Sequence, residues 1–203
     1  MKIIAGKYRG RQLLPPPGGS VTRPITALAK KSLFDHLGPW LEGARVVDLY
    51  CGTGTMALEA ISRGAAHCWL AELDRRVIAR LQRNIEACGA ADQCTIWAGD
   101  VQRRLTGWLA GLGEPIDLAF VDPPYEQARQ WDFSLVGPRL FAPLAKAMAE
   151  GSRLVLRTPG GVEVPKQLAG LTADRRRSYG NMHITILVKQ APAPAAGPEA
   201  DIG

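Results

Sequence analysis

The densest chemistry in the chain lies at Asp122-Pro123-Pro124-Tyr125, directly after the apolar run Leu118-Ala119-Phe120-Val121. Two consecutive prolines fix φ and carry no N–H, so the segment offers acceptors, the Asp122 carboxylate and the carbonyls beside it. With the Tyr125 ring adjacent, these groups make a receptor for a flat base that presents an exocyclic amine. Read only as structure, the same residues are a stiff turn leaving a strand. A second segment favours the chemical reading. It is Asp48-Leu49-Tyr50-Cys51-Gly52-Thr53-Gly54-Thr55-Met56-Ala57, in which Gly52-x-Gly54-x-x-Ala57 fits the dinucleotide fingerprint. Glu72, about 20 residues on, stands where that fingerprint places its ribose acid. Glycines there let a ligand approach the backbone without a side-chain clash. A nicotinamide dinucleotide fits poorly, because its anionic pyrophosphate would face Asp48, Asp100 and Asp122. A cofactor with a sulfonium and an ammonium against one carboxylate suits such a rim better, and S-adenosylmethionine is that cofactor.

Five short apolar runs must position these groups: Arg45–Tyr50, Cys68–Glu72, Cys94–Ala98, Ile116–Asp122 and Arg153–Thr158. They alternate with amphipathic segments. In Asp74–Cys88, Val77, Ile78, Leu81 and Ile85 form one face and Arg75, Arg76, Arg80, Arg83 and Glu86 the other, with Gly89 as a stop. The alternation predicts an α/β fold, a Rossmann-like doubly wound and mostly parallel sheet. Four of the five runs end at or just before an acid, namely Asp48, Glu72, Asp100 and Asp122. Ligands of open parallel sheets lie outside the carboxyl ends of the strands, so the four carboxylates are expected on one rim. Asp74 reads instead as a helix cap. Near the end, residues 171–178 and 182–189 read as an antiparallel strand pair around Tyr179-Gly180-Asn181.

The first 42 residues read as a small basic extension, a β-hairpin followed by a helix from Thr26 to about Leu41 that Gly38-Pro39 should disturb. Residues 43–190 are the main domain, and 191–203, rich in Pro and Ala, a disordered tail. The net charge of +6 is concentrated: residues 1–45 hold eight basic and two acidic side chains, and the remaining 158 residues balance. A basic arm on a neutral body points to a polyanion such as nucleic acid, since Lys and Arg displace phosphate counterions.

At 203 residues the chain can bury a real core. No uncharged apolar run approaches the ~18 residues of a membrane span, and Met1–Lys7 turns basic too soon for a signal peptide. Cys51, Cys68, Cys88 and Cys94 contain no C-x-x-C pair, so neither a metal site nor a disulfide framework is expected, and the expected compartment is the cytoplasm. Cys51 reads as a small packing residue, and His36, His67 and His183 are too scattered for a shared role. Arg175-Arg176-Arg177 reads as a solvated face. Trp131, soon after Tyr125, is the tryptophan placed to flank a substrate.

The glycine loop with Asp122-Pro123-Pro124-Tyr125 resembles the class I S-adenosylmethionine-dependent methyltransferases that modify base amines. Three N-terminal segments narrow the likeness: Ile3-Ile4-Ala5-Gly6-Lys7-Tyr8-Arg9-Gly10-Arg11-Gln12-Leu13, Thr22-Arg23-Pro24-Ile25-Thr26 and Ser32-Leu33-Phe34-Asp35. With Leu58-Glu59-Ala60-Ile61-Ser62-Arg63-Gly64-Ala65, they resemble the bacterial 16S ribosomal RNA guanine-N2 methyltransferases of small-subunit family D, over about residues 2 to 190. The resemblance implies methyl transfer to a guanine N2 amine at Asp122, Pro123, Pro124 and Tyr125. It implies a cofactor held by Asp48, Tyr50, Gly52, Gly54, Glu72, Leu73, Asp100, Val101 and Asp122. Glu72 would take the ribose hydroxyls, Asp100 the adenine amine, and Asp48 would lie near the methionine moiety. Lys7, Arg9, Arg11 and Arg23 would contact 16S RNA, alone or in a 30S particle, with the protein a monomer. An N6-adenine methyltransferase needs the same amine receptor, and a nucleic-acid-binding module without catalysis is the alternative of another class.

Overall fold

The computed structural model describes residues 1–18 and 25–190. Five parallel strands come first: β1 (Arg45–Leu49), β2 (His67–Glu72), β3 (Cys94–Ala98), β4 (Ile116–Val121) and β5 (Met148–Pro159). The antiparallel strands β6 (Gln167–Leu168), β7 (Leu171–Ser178) and β8 (Met182–Lys189) complete one sheet in the order β3-β2-β1-β4-β5-β8-β7-β6. This is the expected doubly wound, mostly parallel sheet with its late antiparallel pair. The strands read as continuous apolar runs because both faces are covered. Val46, Leu118 and Phe120 join one core with α1 (Ala27–Leu37), α2 (Thr55–Ser62) and α3 (Arg75–Cys88). Val47, Ala119 and Val121 point the other way, against α4 (Val101–Ala110) and the segment from α6 (Phe133–Val136) to α7 (Ala142–Ala147), which follows the short helix α5 (Tyr125–Arg129). The order reverses between β1 and β4, and the loops leaving their carboxyl ends diverge there to leave a crevice.

Two N-terminal expectations change in detail. Helix α1 ends at Leu37, four residues short, because Pro39 enters a 3-10 turn over Gly38–Trp40 rather than continuing the helix. The expected hairpin is reduced to one bridge, Lys2 to Gln12, because left-handed Gly6 and Gly10 curl the chain between them. Arg23 and residues 191–203, the latter read as a tail, lie outside the described residues.

What docks the N-terminal segment is a buried hub on α2. Glu59 is fully buried and pairs with Lys30 and Arg63, each at 2.8 Å. Its two oxygens also accept the backbone N–H groups of Ile4 (2.8 Å) and Ala5 (3.1 Å). Ser62 binds the same segment, accepting from Tyr8 N–H and donating to the Ala5 carbonyl. At Gly6 a Cβ would stand 1.6 Å from the Ser62 carbonyl oxygen, so only glycine permits this approach. Ile3, Tyr8 and Leu13 are buried in the same core as α1 and α2.

Candidate active site

The crevice is a cleft of two lobes. The larger, about 620 Å³, is lined by Glu72, Leu73, Val77, Asp100 and Val101. The smaller, about 320 Å³, is lined by Thr55, Met56, Pro123, Tyr125 and Arg157. Both share Pro16, Tyr50, Gly52, Asp122 and Pro124, so the glycine loop and the Asp-Pro-Pro-Tyr turn form the junction. These are volumes of small-molecule sites, which run from roughly 300 to 1,000 Å³.

The loop after β1 owes its shape to left-handed backbone at Tyr50 (φ 63°), Gly52 (58°) and Gly54 (83°). For tyrosine this conformation is strained, and such strain clusters at functional sites. The Tyr50 hydroxyl accepts a bond from Gln127 Nε2 on α5 at 3.1 Å, tying the two loops together. Gly54 caps α2, where a Cβ would lie 2.5 Å from Leu81 Cδ1. At Gly52 a Cβ would meet no atom within 4 Å, and the backbone opens onto both lobes.

The four predicted acids do not play four equal parts. Glu72 fastens the loop: its Oε2 accepts from Gly52 N–H at 3.1 Å, and its Oε1 from Leu73 and Asp74 N–H at 2.7 and 2.9 Å. Asp100 caps α4 through Gln102 N–H at 2.8 Å while lining the larger lobe. Asp48 does not stand on the rim. It is 1% exposed below the loop, where Oδ2 accepts from Ala57 N–H at 3.2 Å and Oδ1 is buried with no protein partner. Burial, and then the negative charge of Asp122, push its carboxyl well above the usual range.

Asp122 brings a residue that sequence reading missed. Arg157, at the end of β5, donates its Nε to Asp122 Oδ1, and its guanidinium lies 5.7 Å from the Tyr125 ring centroid. Burial raises the Asp122 pKa and Arg157 opposes the rise. The rim is therefore not purely acidic. Arg153–Thr158 was the one strand run without an acid at its end, and a base in that place was the available signal. Met1 and Pro16, which bring the N-terminal segment into the cleft wall, carried no such signal.

Other expectations resolve as follows. Trp131 does not reach the cleft. It packs edge-on against Phe133 and Phe141 in the second core, with ring centroids 6.0 and 5.8 Å away, because the short helix α6 turns the chain back onto the sheet. Cys51 lines the smaller lobe, but burial pushes its thiol well up, which makes it a poor nucleophile. Lys7, Arg9 and Arg11 are exposed on the N-terminal segment, and Arg11 donates to the Ala87 carbonyl near the end of α3. Arg176 pairs with Glu163, and Arg177 donates to Ser32 on α1 at 3.0 Å. Among the described residues no helix is long and apolar enough to cross a membrane.

The Bacillus subtilis (strain 168) protein YlbH, provisionally named an rRNA methyltransferase, is 29% identical over 191 residues, 94% of this chain and 100% of that one. The Escherichia coli (strain K12) protein named ribosomal RNA small subunit methyltransferase D is 36% identical over 127 residues, covering 63% of this chain and 61% of its own length. Among solved structures, Escherichia coli yhhF, provisionally named a methyltransferase, superposes with a TM-score of 0.74 at 27% identity, covering 95% of this chain and 99% of that one. The family described as "Conserved hypothetical protein 95" matches residues 1–188, and the chain belongs to it.

Proposed function

We propose that this protein transfers the methyl group of S-adenosylmethionine to the exocyclic N2 amine of a guanine in 16S ribosomal RNA. The observation that supports this best is the junction of the two lobes at Asp122 and Pro124, which puts an amine receptor against a second, acid-lined compartment. The names of the relatives support rRNA as the substrate class. The residues of the larger lobe fit the cofactor. Glu72 Oε2 has acceptor capacity left for a ribose hydroxyl, Asp100 for an amine, and Leu73, Val77 and Val101 give apolar walls for a flat ring. Gly52 leaves room for the amino-acid end, and the orphaned Asp48 Oδ1 lies beneath it.

When bound, the cofactor supplies a methyl carbon made electrophilic by its sulfonium. The work of the chain is placement. A guanine amine is a weak nucleophile because its lone pair is delocalised into the ring. Asp122 and the Pro123 carbonyl accept its hydrogens, which favours a pyramidal nitrogen aimed across the junction. Tyr125 stacks on the base once it has left its neighbours, as base-modifying enzymes require. With the cofactor bound, the nitrogen held by Asp122 and the Pro123 carbonyl would take the methyl carbon from the sulfonium, and the surplus proton would leave to Asp122 or to solvent in the open cleft. Orientation then supplies most of the rate without a covalent enzyme intermediate. The substrate is met in the cytoplasm, as 16S RNA or within a 30S particle, with Lys7, Arg9 and Arg11 on phosphates.

The test is labelled methyl transfer to naked DNA, 16S RNA and 30S particles isolated from a strain deleted for this protein, followed by nucleoside mass spectrometry. N2-methylguanosine in 16S RNA is the expected product. N6-methyladenosine, or label in DNA alone, would overturn the assignment.

A further inference from the structure

Arg157 stands one register step beyond the Leu156–Val121 pair of β5 and β4, which sets it beside Asp122. Besides its bond to Asp122 and its place by the Tyr125 ring, its Nη1 lies 3.7 Å from the Met182 sulfur on β8. Its side chain is 11% exposed and that of Asp122 is 23% exposed. Both line the smaller lobe, so the pair is largely desolvated yet open to a base entering there. A surface pair would weaken under solvent screening; this one keeps most of its field.

We propose that Arg157 is a positioning residue: it orients the Asp122 carboxylate and holds it as an acceptor-only partner, so that the receptor selects a base edge with two adjacent donors. The inference rests on the guanine-N2 reading. On guanine, N1–H and the N2 amine are neighbouring donors, and the two oxygens of a carboxylate match them. On adenine, the N6 amine stands beside N1, an acceptor. A protonated carboxyl could serve that edge by donating to N1, whereas a carboxylate repels it. Selection therefore turns on the charge of Asp122. Burial favours its neutral form; Arg157 from β5 favours the charged one. The other groups around it do not supply that help. Asp48 of β1 has its own carboxyl pushed well up by burial and by Asp122, burial pushes the Tyr50 phenol up, and the Tyr125 ring lines the lobe beside the pair without a cationic group to offer.

The experiment compares wild type, Arg157→Gln and Arg157→Lys on 16S substrate carrying either guanine or 2-aminopurine at the methylated position. 2-Aminopurine keeps the amine but makes N1 an acceptor. Wild type is expected to prefer guanine strongly. In Arg157→Gln, kcat should fall roughly 10²-fold through lost orientation, S-adenosylmethionine affinity should hold, and the preference for guanine should narrow. Its kcat acidic limb should move to higher pH, because the active carboxylate is lost as pH falls through a pKa no longer held down. Arg157→Lys keeps the charge and should restore the limb while kcat stays low. An Arg157→Gln protein that melts normally and keeps both the wild-type limb and the wild-type preference would overturn the inference. If Arg157→Gln does not fold, Arg157→Lys decides: wild-type kcat there removes the orienting role. Wild type inactive on guanine substrate would instead sink the functional reading itself.

Discussion

Replacing Glu59 by Gln tests what ties the N-terminal segment to the sheet. The carboxylate is 0% exposed, Lys30 is 4% and Arg63 13%, so the three charges sit where water cannot compensate a missing partner. Gln keeps the volume but leaves Lys30 as a buried cation facing a neutral amide. Burial already pushes the Lys30 pKa down, and Glu59 is what opposes that. Removing one member of a buried pair costs about 3–5 kcal/mol. Domain stabilities are roughly 5–15 kcal/mol, so the loss is a large share of the total. Urea denaturation at pH 7 should show a lower midpoint at unchanged slope. The pH dependence has a definite sign. Burial pushes the Glu59 carboxyl up, but hydrogen bonds from Lys30, the Ile4 N–H and Arg63 outweigh it and hold the pKa below the ordinary value. That stabilisation is present above the unfolded carboxylate pKa and fades as pH falls through the folded one. The gap between wild type and Glu59→Gln should therefore close on acidification. Adding Lys30→Met should recover part of the loss, since the uncompensated cation is gone. A loss under about 1 kcal/mol at pH 7, the size of an exposed pair, would refute the hub.

Three further outcomes follow from the cleft and the N-terminal arm. Glu72→Ala should weaken S-adenosylmethionine binding by about 1.5–3 kcal/mol, the range for hydrogen bonds to a charged group; unchanged affinity by calorimetry in a folded protein would remove Glu72 from the site. Asp122→Ala should abolish methyl transfer with cofactor affinity largely intact, and wild-type turnover at saturating RNA would end the amine-receptor reading. Replacing Arg9 and Arg11 together by Ala should flatten the log–log salt dependence of RNA binding by roughly one to two units, at about 0.7 per phosphate contact on single strands. Identical slopes would make the arm a solvated segment only.

How far such a site can be read from sequence depends on where each group finds its partner. Helix α3 was legible to the residue at its carboxyl end because its signals are local: Asp74 accepts Arg76 N–H at 2.8 Å, and Gly89 takes the left-handed turn that stops it. The pair β7–β8 was legible for the same reason, with its turn at Tyr179-Gly180-Asn181 between alternating runs. The acids at the strand ends could be placed on one edge, since a parallel sheet puts carboxyl ends together. Their depth could not. Asp48 and Glu72 end neighbouring strands, yet one is sunk under the loop and the other holds the loop's N–H groups. Glu59 was invisible because its partners Lys30 and Ile4 lie far away in sequence, and a Glu four residues before Arg63 reads as an ordinary surface pair. Arg157 left a signal as the base on the one strand run without an acid, but its pairing with Asp122 was invisible for a sharper reason. Counter-charges in a cleft built from strand ends must come across from neighbouring strands, so which base faces which acid is a property of strand order. Only the adjacency β1-β4-β5 turns an arginine at the end of a strand run into the counter-charge of Asp122.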